Sequence, residues 1–558
     1  MALKTMLKFS RGFRYQSLAR TTQSFSTHDQ DEGGWNRTRT KSSGNFTQVA
    51  GAAVAGVAGF CLYSYLNEPA VSAATKEETT LQAGEVKEGL PFYSLDEVRA
   101  HDDNEKRIWV TYKQGVYDIT DFIPKHPGGG EKILMAAGAS VDPFWASYGV
   151  HKNADILKML ETYRIGNLSE EDSKVSLHNV VDPYDSDPRR HPALQPRSLK
   201  PYNAETPLKI LADNFFTPND LFFVRNHLPV PEIDLASYEI EIEGVGVKSM
   251  KLNLEQLKKF PKYTVTSTVQ CSGNRRSEMT KVKPVKGLDW GQAAIGNATW
   301  TGVRLRDVLL AAGLKDDQPG VEHVQFEGLD TDPSMHPYGA SIPIEKAMDP
   351  KGDVLLAFEM NGEPLTRDHG YPVRVIVPGV TGARNVKWLG KVIVSGKESD
   401  SHWQQNDYKG FSPSTDWDTV DFSSAPAIQE LPVISAICDP VQGDKVKPVD
   451  GKIPLRGYAW SGGGRKIVRV DVTWDQGKTW GVAKLEQESN KHPYHWGWTL
   501  WTLEVPVPPN AKKLEVWVKA VDSTYNTQPE GFANIWNLRG VLSNAYHRVT
   551  IDINTGKK

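Results

Sequence analysis

Two histidines lie in loops where their side chains could bind a metal. His126 is followed by Pro127 and by glycines at 128–130, and His151 comes 25 residues later, directly after Gly149 and Val150. Proline restricts the backbone and glycine adopts conformations that other residues avoid, so such a turn presents its imidazole from a rigid loop. A second loop histidine can bind the same metal from the opposite side, as in a haem whose iron has two axial ligands. Two imidazoles leave no open position on a haem iron, which suits electron transfer.

A cysteine among arginines is the second candidate for chemistry. Residues 265–270 are predicted to form a strand that ends at Cys271, and a turn containing Arg275 and Arg276 follows. Nearby guanidinium groups favour the thiolate, which is the reactive and metal-binding form of cysteine. The pattern indicates a thiolate beside a cationic site for a small oxyanion, and the thiolate could be a nucleophile or a ligand of a soft metal.

The elements that position these residues are predicted from the hydrophobic pattern. Residues 108–112 and 116–119 read as a hairpin before His126, and 154–163 read as an amphipathic helix after His151. Residues 467–474 and 514–520 alternate as strands of a β-rich C-terminal region. Six tryptophans there are expected to fill the core of a sandwich: Trp474, Trp480, Trp496, Trp498, Trp501 and Trp517.

Composition limits the class of protein. The 558 residues are 39% hydrophobic and 24% charged, which is enough for several packed domains and excludes a largely disordered chain. A net charge of -3 gives no indication of nucleic-acid binding. Three cysteines (Cys61, Cys271 and Cys438) are too few for a disulfide scaffold or an all-cysteine metal site.

Residues 88–168 resemble the cytochrome b5 family. The resemblance is carried by the His-Pro-Gly-Gly turn, the second loop histidine, the hairpin and the helices around them. It implies an α+β domain that binds haem b, with His126 and His151 as the axial iron ligands. The pocket walls would include Phe122, Val141, Phe144 and Met159.

The rest of the chain resembles the molybdenum domain of the sulfite oxidase family. The strand ending at Cys271 carries this resemblance, together with segments 222–231, 368–377, 382–389 and 407–411. It implies a multidomain α+β protein with a cytochrome b5-like haem domain (86–168), a flexible linker (169–201), a mixed α+β molybdopterin domain (202–425) and a C-terminal immunoglobulin-like β-sandwich that dimerises (428–555).

The same resemblance implies roles for individual residues. Cys271 would be the thiolate ligand of molybdenum. The catalytic pocket would also contain Tyr408, Arg225, Arg276, Arg539 and Trp290. The molybdopterin would be held by Phe222, Phe223, Val224, Arg225, Asn226, Asp330, His369, Arg374, Asn385, Val386 and Lys387. Asn385 stands where the animal enzymes commonly have His, so Arg384 is the alternative contact.

The activity that the resemblance implies is the two-electron oxidation of sulfite to sulfate. Electrons would pass singly through the haem to cytochrome c, and the chain would form a homodimer. Two alternatives stay open. A nitrate reductase-like molybdoenzyme normally has its haem after the molybdenum domain and adds a flavin module, whereas here the haem motif comes first. A haem electron carrier with a degenerate molybdenum domain would not need to keep Cys271, Arg276 and Tyr408.

The N-terminal region carries two predicted targeting signals. Residues 1–28 contain five basic and no acidic residues, which is typical of a mitochondrial presequence. Residues 49–66 are uncharged, apolar and rich in Ala and Gly. Together, within residues 1–80, they predict a bipartite signal for the mitochondrial intermembrane space, with no stable membrane anchor after maturation. A retained anchor is the alternative.

Overall fold

The computed structural model describes residues 82–103, 106–177, 182–332, 334–489 and 492–554, which all belong to one unit, Leu81–Lys558. Both predicted targeting signals lie outside the described residues. Among the described helices, none is long and apolar enough to cross a membrane.

A five-stranded sheet forms the first module. Its strands, in spatial order, are β1 (Phe92–Tyr93), β5 (Arg164–Leu168), β3 (Gly115–Asp118), β2 (Trp109–Tyr112) and β4 (Ala139–Ser140). The antiparallel pairing of β2 with β3 confirms the predicted hairpin. The helices are α1 (Leu95–Arg99), α2 (Gly130–Leu134), α3 (Asp142–Ser147) and α4 (Ala154–Glu161), and α4 confirms the predicted helix. Short 3-10 helices, Thr120–Lys125 and Gly149–Lys152, carry the chain to and through the two histidine loops.

The sequence predicts a flexible linker at 169–201, with an ordered strap on the next domain as the alternative, and the structure agrees with the alternative. It contains helix α5 (Glu170–Leu177) and strand β6 (Gln195–Leu199), which pairs with β7 (Tyr202–Glu205). The charge-rich stretch is held by specific partners: Arg190 forms salt bridges of 2.8 Å with both Asp187 and Asp368. Residues 182–201 are therefore an ordered strap on the next module, because their charges meet fixed opposite charges there.

The central module contains two five-stranded sheets. The first has the order β10 (Met250–Leu252), β9 (Ile240–Gly244), β18 (Leu389–Ser395), β13 (His323–Thr331) and β14 (Pro337–Pro343). The second contains β11 (Lys262–Gln270), β12 (Ile295–Arg304), β15 (Leu355–Met360) and β16 (Glu363–Pro364), with β17 (Arg374–Ile376) also paired to β15. A small third sheet joins β6 and β7 to β8 (Val224–Arg225).

Short helices connect these strands. They are α6 (Leu208–Leu211), α7 (Leu254–Leu257), α8 (Arg276–Thr280), α9 (Leu305–Ala311) and α10 (Ile344–Met348). Further 3-10 turns lie at Asn219–Leu221, Arg367–His369, Gly382–Arg384 and Phe422–Ser424, and a π-helix spans Trp403–Asp407.

The C-terminal module is a sandwich of two antiparallel-rich sheets, as predicted. One contains β19 (Ile434–Asp439), β21 (Lys452–Trp460), β25 (Thr499–Pro506) and β24 (Lys484–Glu486). The other contains β20 (Lys445–Val446), β27 (His547–Ile553), β26 (Lys513–Asp522), β22 (Ile467–Thr473) and β23 (Gly481–Val482). Ile453 and Leu455 alternate inward along β21, as expected for a sheet with one buried face. Trp498 and Trp501 are fully buried, but Trp496 packs in the core of the central module instead.

Candidate active site

A cavity lies in the central module, where ends of both of its large sheets and their connecting loops meet. Sixteen residues line it: Phe222, Phe223, Arg225, His227, Val269, Cys271, Asp330, Tyr338, His369, Arg374, Gly382, Ala383, Asn385, Lys387, Trp388 and Tyr408. Ten of these are among the predicted site residues, although they come from positions spread along the chain. The fold therefore brings most of the predicted site together.

Cys271 is the first residue after β11 and is 6% exposed. Its backbone N–H donates to the Ala294 carbonyl at 3.0 Å, which continues the pairing between β11 and β12. The Gly273 N–H points back at the Cys271 sulfur, at 3.4 Å. The turn therefore holds the sulfur in a fixed position at the end of β11, as a metal ligand requires.

The turn after Cys271 is fixed to the C-terminal module by Arg275. This residue has a φ of 66° and a fully buried side chain. Its guanidinium forms a two-pronged pair with Glu278, at 2.8 and 2.7 Å, and donates to the Ala545 and Ser435 carbonyls at 2.7 and 3.1 Å. The pair with Arg275 and the hydrogen bonds outweigh burial, so the pKa of Glu278 is lowered to about 2.

Three arginines converge beside Cys271. Arg225 lines the cavity, Arg276 begins α8, and Arg539 comes from the C-terminal module. Burial, with the nearby charges of Arg276 and Arg225, lowers the pKa of Arg539 to about 10. Arg539 pairs with Asp407, whereas Arg225 and Arg276 donate to backbone carbonyls and form no salt bridge with a described residue. The cluster therefore carries excess positive charge, which an oxyanion would neutralise.

Tyr408 reaches this cluster from the end of the π-helix Trp403–Asp407. Its hydroxyl lies 3.5 Å from Arg225 Nη2 and 2.6 Å from His227 Nε2, and the residue is 4% exposed. Burial raises the pKa of Tyr408, so its phenol stays protonated at neutral pH. The site thus places a hydroxyl next to the arginines and Cys271.

The other part of the cavity has buried polar groups that suit a polar, anionic cofactor. Among the described residues, Asp330 Oδ1 and Arg374 Nε are buried without a hydrogen-bond partner. Burial raises the pKa of Asp330 and lowers the pKa of Arg374 to about 9. Burial also lowers the pKa of Lys387. The Asp330 carboxyl can accept hydrogen bonds from the N–H groups of a pterin ring, and the buried cations Arg374 and Lys387 can bind a phosphate. These residues therefore fit a pterin that carries a phosphate.

The two predicted haem ligands face each other. The rings of His126 and His151 are 6.2 Å apart between centroids and only 13° from parallel. Each Nδ1 contacts a backbone carbonyl, Gly129 O at 2.8 Å and Tyr148 O at 3.0 Å. Nδ1 therefore carries the proton and Nε2 is free to bind a metal, as in ligating histidines with a carbonyl partner. Burial lowers the pKa of His151, which favours the neutral form that binds iron.

The first module, which carries this histidine pair, contacts the central module. Lys132 Nζ lies 3.4 Å from the buried carboxylate of Asp332, and Ser334 Oγ lies 2.9 Å from Met135 Sδ. These contacts place a charged pair at the junction between the module with the two histidines and the module with Cys271.

Three family models match separate parts of the chain. They are described as "Cytochrome b5-like Heme/Steroid binding domain" at residues 94–169, "Oxidoreductase molybdopterin binding domain" at 227–403 and "Mo-co oxidoreductase dimerisation domain" at 425–554. A Drosophila melanogaster protein named "Sulfite oxidase, mitochondrial" is 59% identical over 83% of this chain and 81% of its own length. The chain belongs to the sulfite oxidase family.

A second sulfite oxidase and a solved structure support the same family and fold. The human "Sulfite oxidase, mitochondrial" is 54% identical over 83% of this chain and 85% of its own length. The crystal structure of the sulfane dehydrogenase SoxCD from Paracoccus pantotrophus is similar with a TM-score of 0.53. It is 27% identical and covers 66% of this chain and 90% of its own length. This sulfite oxidase family member therefore combines cytochrome b5-like, molybdopterin-binding and sheet-rich C-terminal modules.

Several predicted residues do not line the cavity. Arg276 and Arg539 lie beside it, and Arg276 donates to the Arg539 carbonyl at 3.1 Å. Trp290 is fully buried and packs in the same core cluster as Cys271. It therefore fills space behind the turn that follows Cys271. The other three are buried and support the walls: Val224, Asn226 and Val386. Asn226 donates to Asp368 at 3.1 Å and accepts from Lys387, so it fixes charged neighbours.

Asn385 and Arg384 were the two candidates for a contact with the cofactor, and the structure places them differently. The Asn385 amide accepts from the Val377 N–H at 2.7 Å and donates to the Thr381 carbonyl at 2.9 Å, so it holds the loop. Arg384 donates to the Ile428 carbonyl at 3.0 Å and lies over the Tyr408 ring. Asn385 lines the cavity and Arg384 braces it from behind.

Sequence reasoning gave no site role to six of the lining residues: His227, Val269, Tyr338, Gly382, Ala383 and Trp388. His227 and Tyr338 stack at 4.6 Å. Sequence reasoning placed Arg275 in the turn after Cys271 but did not predict that its side chain fixes this turn. His227 could have been found, because it directly follows the predicted Asn226. Glu278 lies three positions after Arg275, but the two carbonyls to which Arg275 donates lie 160 and 270 residues away along the chain, and no local pattern predicts such contacts.

Proposed function

We propose that this protein oxidises sulfite to sulfate at a molybdenum–pterin centre and passes the electrons singly through a b-type haem to cytochrome c. Sulfite and water give sulfate, two protons and two electrons. The observation that carries the proposal is the cavity lined by Cys271, Tyr408 and Arg225, with Arg276 and Arg539 beside it. A small oxyanion is the ligand that this charge distribution favours.

The arginines serve the substrate. Arg225, Arg276 and Arg539 hold a small dianion by charge and by their fork-shaped donors. Because sulfite and sulfate are both anions, the same cluster neutralises substrate and product. Tyr408 adds a hydroxyl at the edge of the cluster, where its oxygen accepts from Arg225 and holds this arginine beside the bound anion.

The remaining residues hold the cofactors. Cys271 would bind molybdenum as a thiolate. Asp330, His369, Arg374, Asn385 and Lys387, which line the cavity beside Phe222 and Phe223, would hold the pterin and its phosphate. Burial lowers the pKa of His369 to about 4, so it faces the cofactor as a neutral ring. When bound, the molybdenum–pterin group supplies two-electron redox chemistry and the haem, between His126 and His151, supplies one-electron transfer.

The proposal also covers where the protein is located in the cell and its oligomeric state. The names of the fly and human relatives support a mitochondrial location, and the presequence-like N-terminus favours the intermembrane space, where cytochrome c is the expected acceptor. The match to a dimerisation domain supports a homodimer through the C-terminal module.

The order of modules favours sulfite over nitrate. The haem-binding match at 94–169 precedes the molybdopterin match at 227–403, which is the animal-type sulfite oxidase order. The degenerate-carrier alternative is disfavoured by the intact set of Cys271, Tyr408 and three arginines around one cavity.

Sulfite-dependent reduction of cytochrome c tests the proposal. The purified protein should reduce cytochrome c with sulfite, and Cys271→Ser should abolish this while the haem spectrum stays intact. Cys438→Ser is the matched control, because Cys438 is also buried but lies in β19 of the C-terminal module. Appreciable sulfite oxidation by Cys271→Ser would refute the ligand assignment. Nitrate reduction without sulfite oxidation would refute the substrate.

A further inference from the structure

His227 lies against three aromatic side chains at the edge of the cavity. Its ring stacks on Tyr338 at 4.6 Å, and the edges of Trp403 and Tyr408 contact it at 5.8 and 6.0 Å between centroids. The Tyr338 hydroxyl in turn donates to the Ala383 carbonyl at 2.9 Å. The ring of His227 is therefore held in one orientation, with Nε2 2.6 Å from the Tyr408 hydroxyl.

The neighbours of the Tyr408 hydroxyl determine which atom donates. Arg225 Nη2, at 3.5 Å, has only protons to give, so the phenol oxygen accepts from it. Among the described residues, His227 Nε2 is then the acceptor available to the phenolic proton. The opposite arrangement would leave a buried hydroxyl proton unpaired, which is rare in folded proteins. The hydrogen bonds therefore run from Arg225 to Tyr408 and from Tyr408 to His227.

The other edge of Arg225 is fixed as well. Arg225 Nη1 donates to the Asn226 carbonyl at 2.6 Å and to Asn203 Oδ1 at 3.2 Å. Only the Tyr408 oxygen holds the Nη2 edge among the described residues. The Tyr408 oxygen is therefore the contact that completes the positioning of Arg225 on this edge.

We infer that His227 is a positioning residue that acts through Tyr408: by accepting the phenolic proton, it turns the lone pairs of Tyr408 toward Arg225 and aims this arginine at the oxyanion. The inference rests on the proposed function for the identity of the anion. Without the acceptor, the phenolic proton has to find another partner, and the Nη2 edge of Arg225 loses its fixed contact. Anion binding should weaken more than the redox step.

A double-mutant cycle tests this inference. His227→Phe keeps a flat ring against Tyr338 but removes the acceptor, and Tyr408→Phe removes the donor. We expect His227→Phe to raise the KM for sulfite about 5- to 10-fold, the effect of one lost hydrogen bond, with kcat within about threefold. In the Tyr408→Phe background, the same change should have almost no further effect.

The controls separate positioning from packing. His227→Gln can place an acceptor near the position of Nε2 and should recover most of the loss, whereas the shorter His227→Asn should not. His402→Phe is the matched control, because His402 also contacts Trp403, at 6.1 Å, but makes no contact with Tyr408 among the described residues. It should leave the KM for sulfite unchanged.

Sulfate binding gives a readout that needs no turnover. Titration of tryptophan fluorescence with sulfate should show the same 5- to 10-fold weakening in His227→Phe and the same non-additivity with Tyr408→Phe. If the two changes are additive, or if glutamine does not rescue, His227 only fills space and the inference is wrong. If fully loaded parent protein binds sulfate but fails to oxidise sulfite, the proposed function fails while the binding cycle still decides the role of His227. Should His227→Phe fail to fold, the comparison of His227→Gln with His227→Asn decides it.

Discussion

Glu278→Gln should destabilise the protein in a strongly pH-dependent way. The Glu278 carboxylate is 11% exposed and holds both prongs of the fully buried Arg275, and it also accepts from Gln292 at 2.8 Å. Glutamine keeps the size of the side chain but removes the charge that pairs with Arg275. A buried arginine would then lack its counter-charge, and such a loss typically costs about 3–5 kcal/mol.

The pKa of Glu278 gives an independent magnitude. A pKa lowered from 4.5 to about 2 corresponds to about 3 kcal/mol of stability that is present while the carboxylate is charged in both states. Because the folded pKa is depressed, this stability is complete above about pH 4.5 and is lost as the pH falls toward 2. At pH 3, roughly 2 kcal/mol of it should already be gone.

Urea unfolding at pH 7, 5, 4 and 3 measures this effect. The difference in unfolding free energy between the parent and Glu278→Gln should be about 3 kcal/mol at pH 7 and should shrink below pH 4.5. Glu255→Gln is the control, since Glu255 is 79% exposed and forms a surface pair with Lys258, which contributes little. A difference under 1 kcal/mol at pH 7, or one that does not change with pH, would refute the reasoning.

Three further predictions concern the two redox modules. His151→Ala should lose the six-coordinate haem spectrum but should still oxidise sulfite with a small two-electron acceptor; an unchanged spectrum would remove His151 as a ligand. Arg539→Gln should raise the KM for sulfite about 10-fold or more by removing one charge of the anion cluster, and a steady-state assay showing an unchanged KM would contradict that role. Lys132→Gln should slow haem reduction by sulfite at low salt without slowing the small-acceptor assay, because it leaves Asp332 without its 3.4 Å partner; stopped-flow traces that match the parent would show that this contact does not guide electron transfer.

Much of the site could be predicted from the sequence because short stretches of chain position the side chains concerned. The turn after His126 and the position of His151 indicated a facing pair, and the structure has the rings 13° from parallel. The strand before Cys271 indicated that the sulfur would lie at a sheet end, and it does. In both cases a short stretch of sequence determines where the side chain points.

Contacts between distant segments could not be predicted in the same way. Arg190 lies 178 residues from Asp368, so the charges of the expected linker gave no indication that they had fixed partners. Trp290 was expected in the pocket but fills core behind it, since a buried tryptophan suits either place. The hydrogen bond between His227 and Tyr408 joins residues 181 positions apart, and only the fold brings them together.

An anaerobic visible spectrum, recorded before and after sulfite is added to the purified protein, tests the central claim most directly. The account predicts that sulfite alone converts the ferric haem spectrum to the ferrous b-type spectrum, because electrons from the arginine-lined cavity reach the iron between His126 and His151. A protein with full molybdenum and haem whose spectrum changes with dithionite but not with sulfite would contradict it.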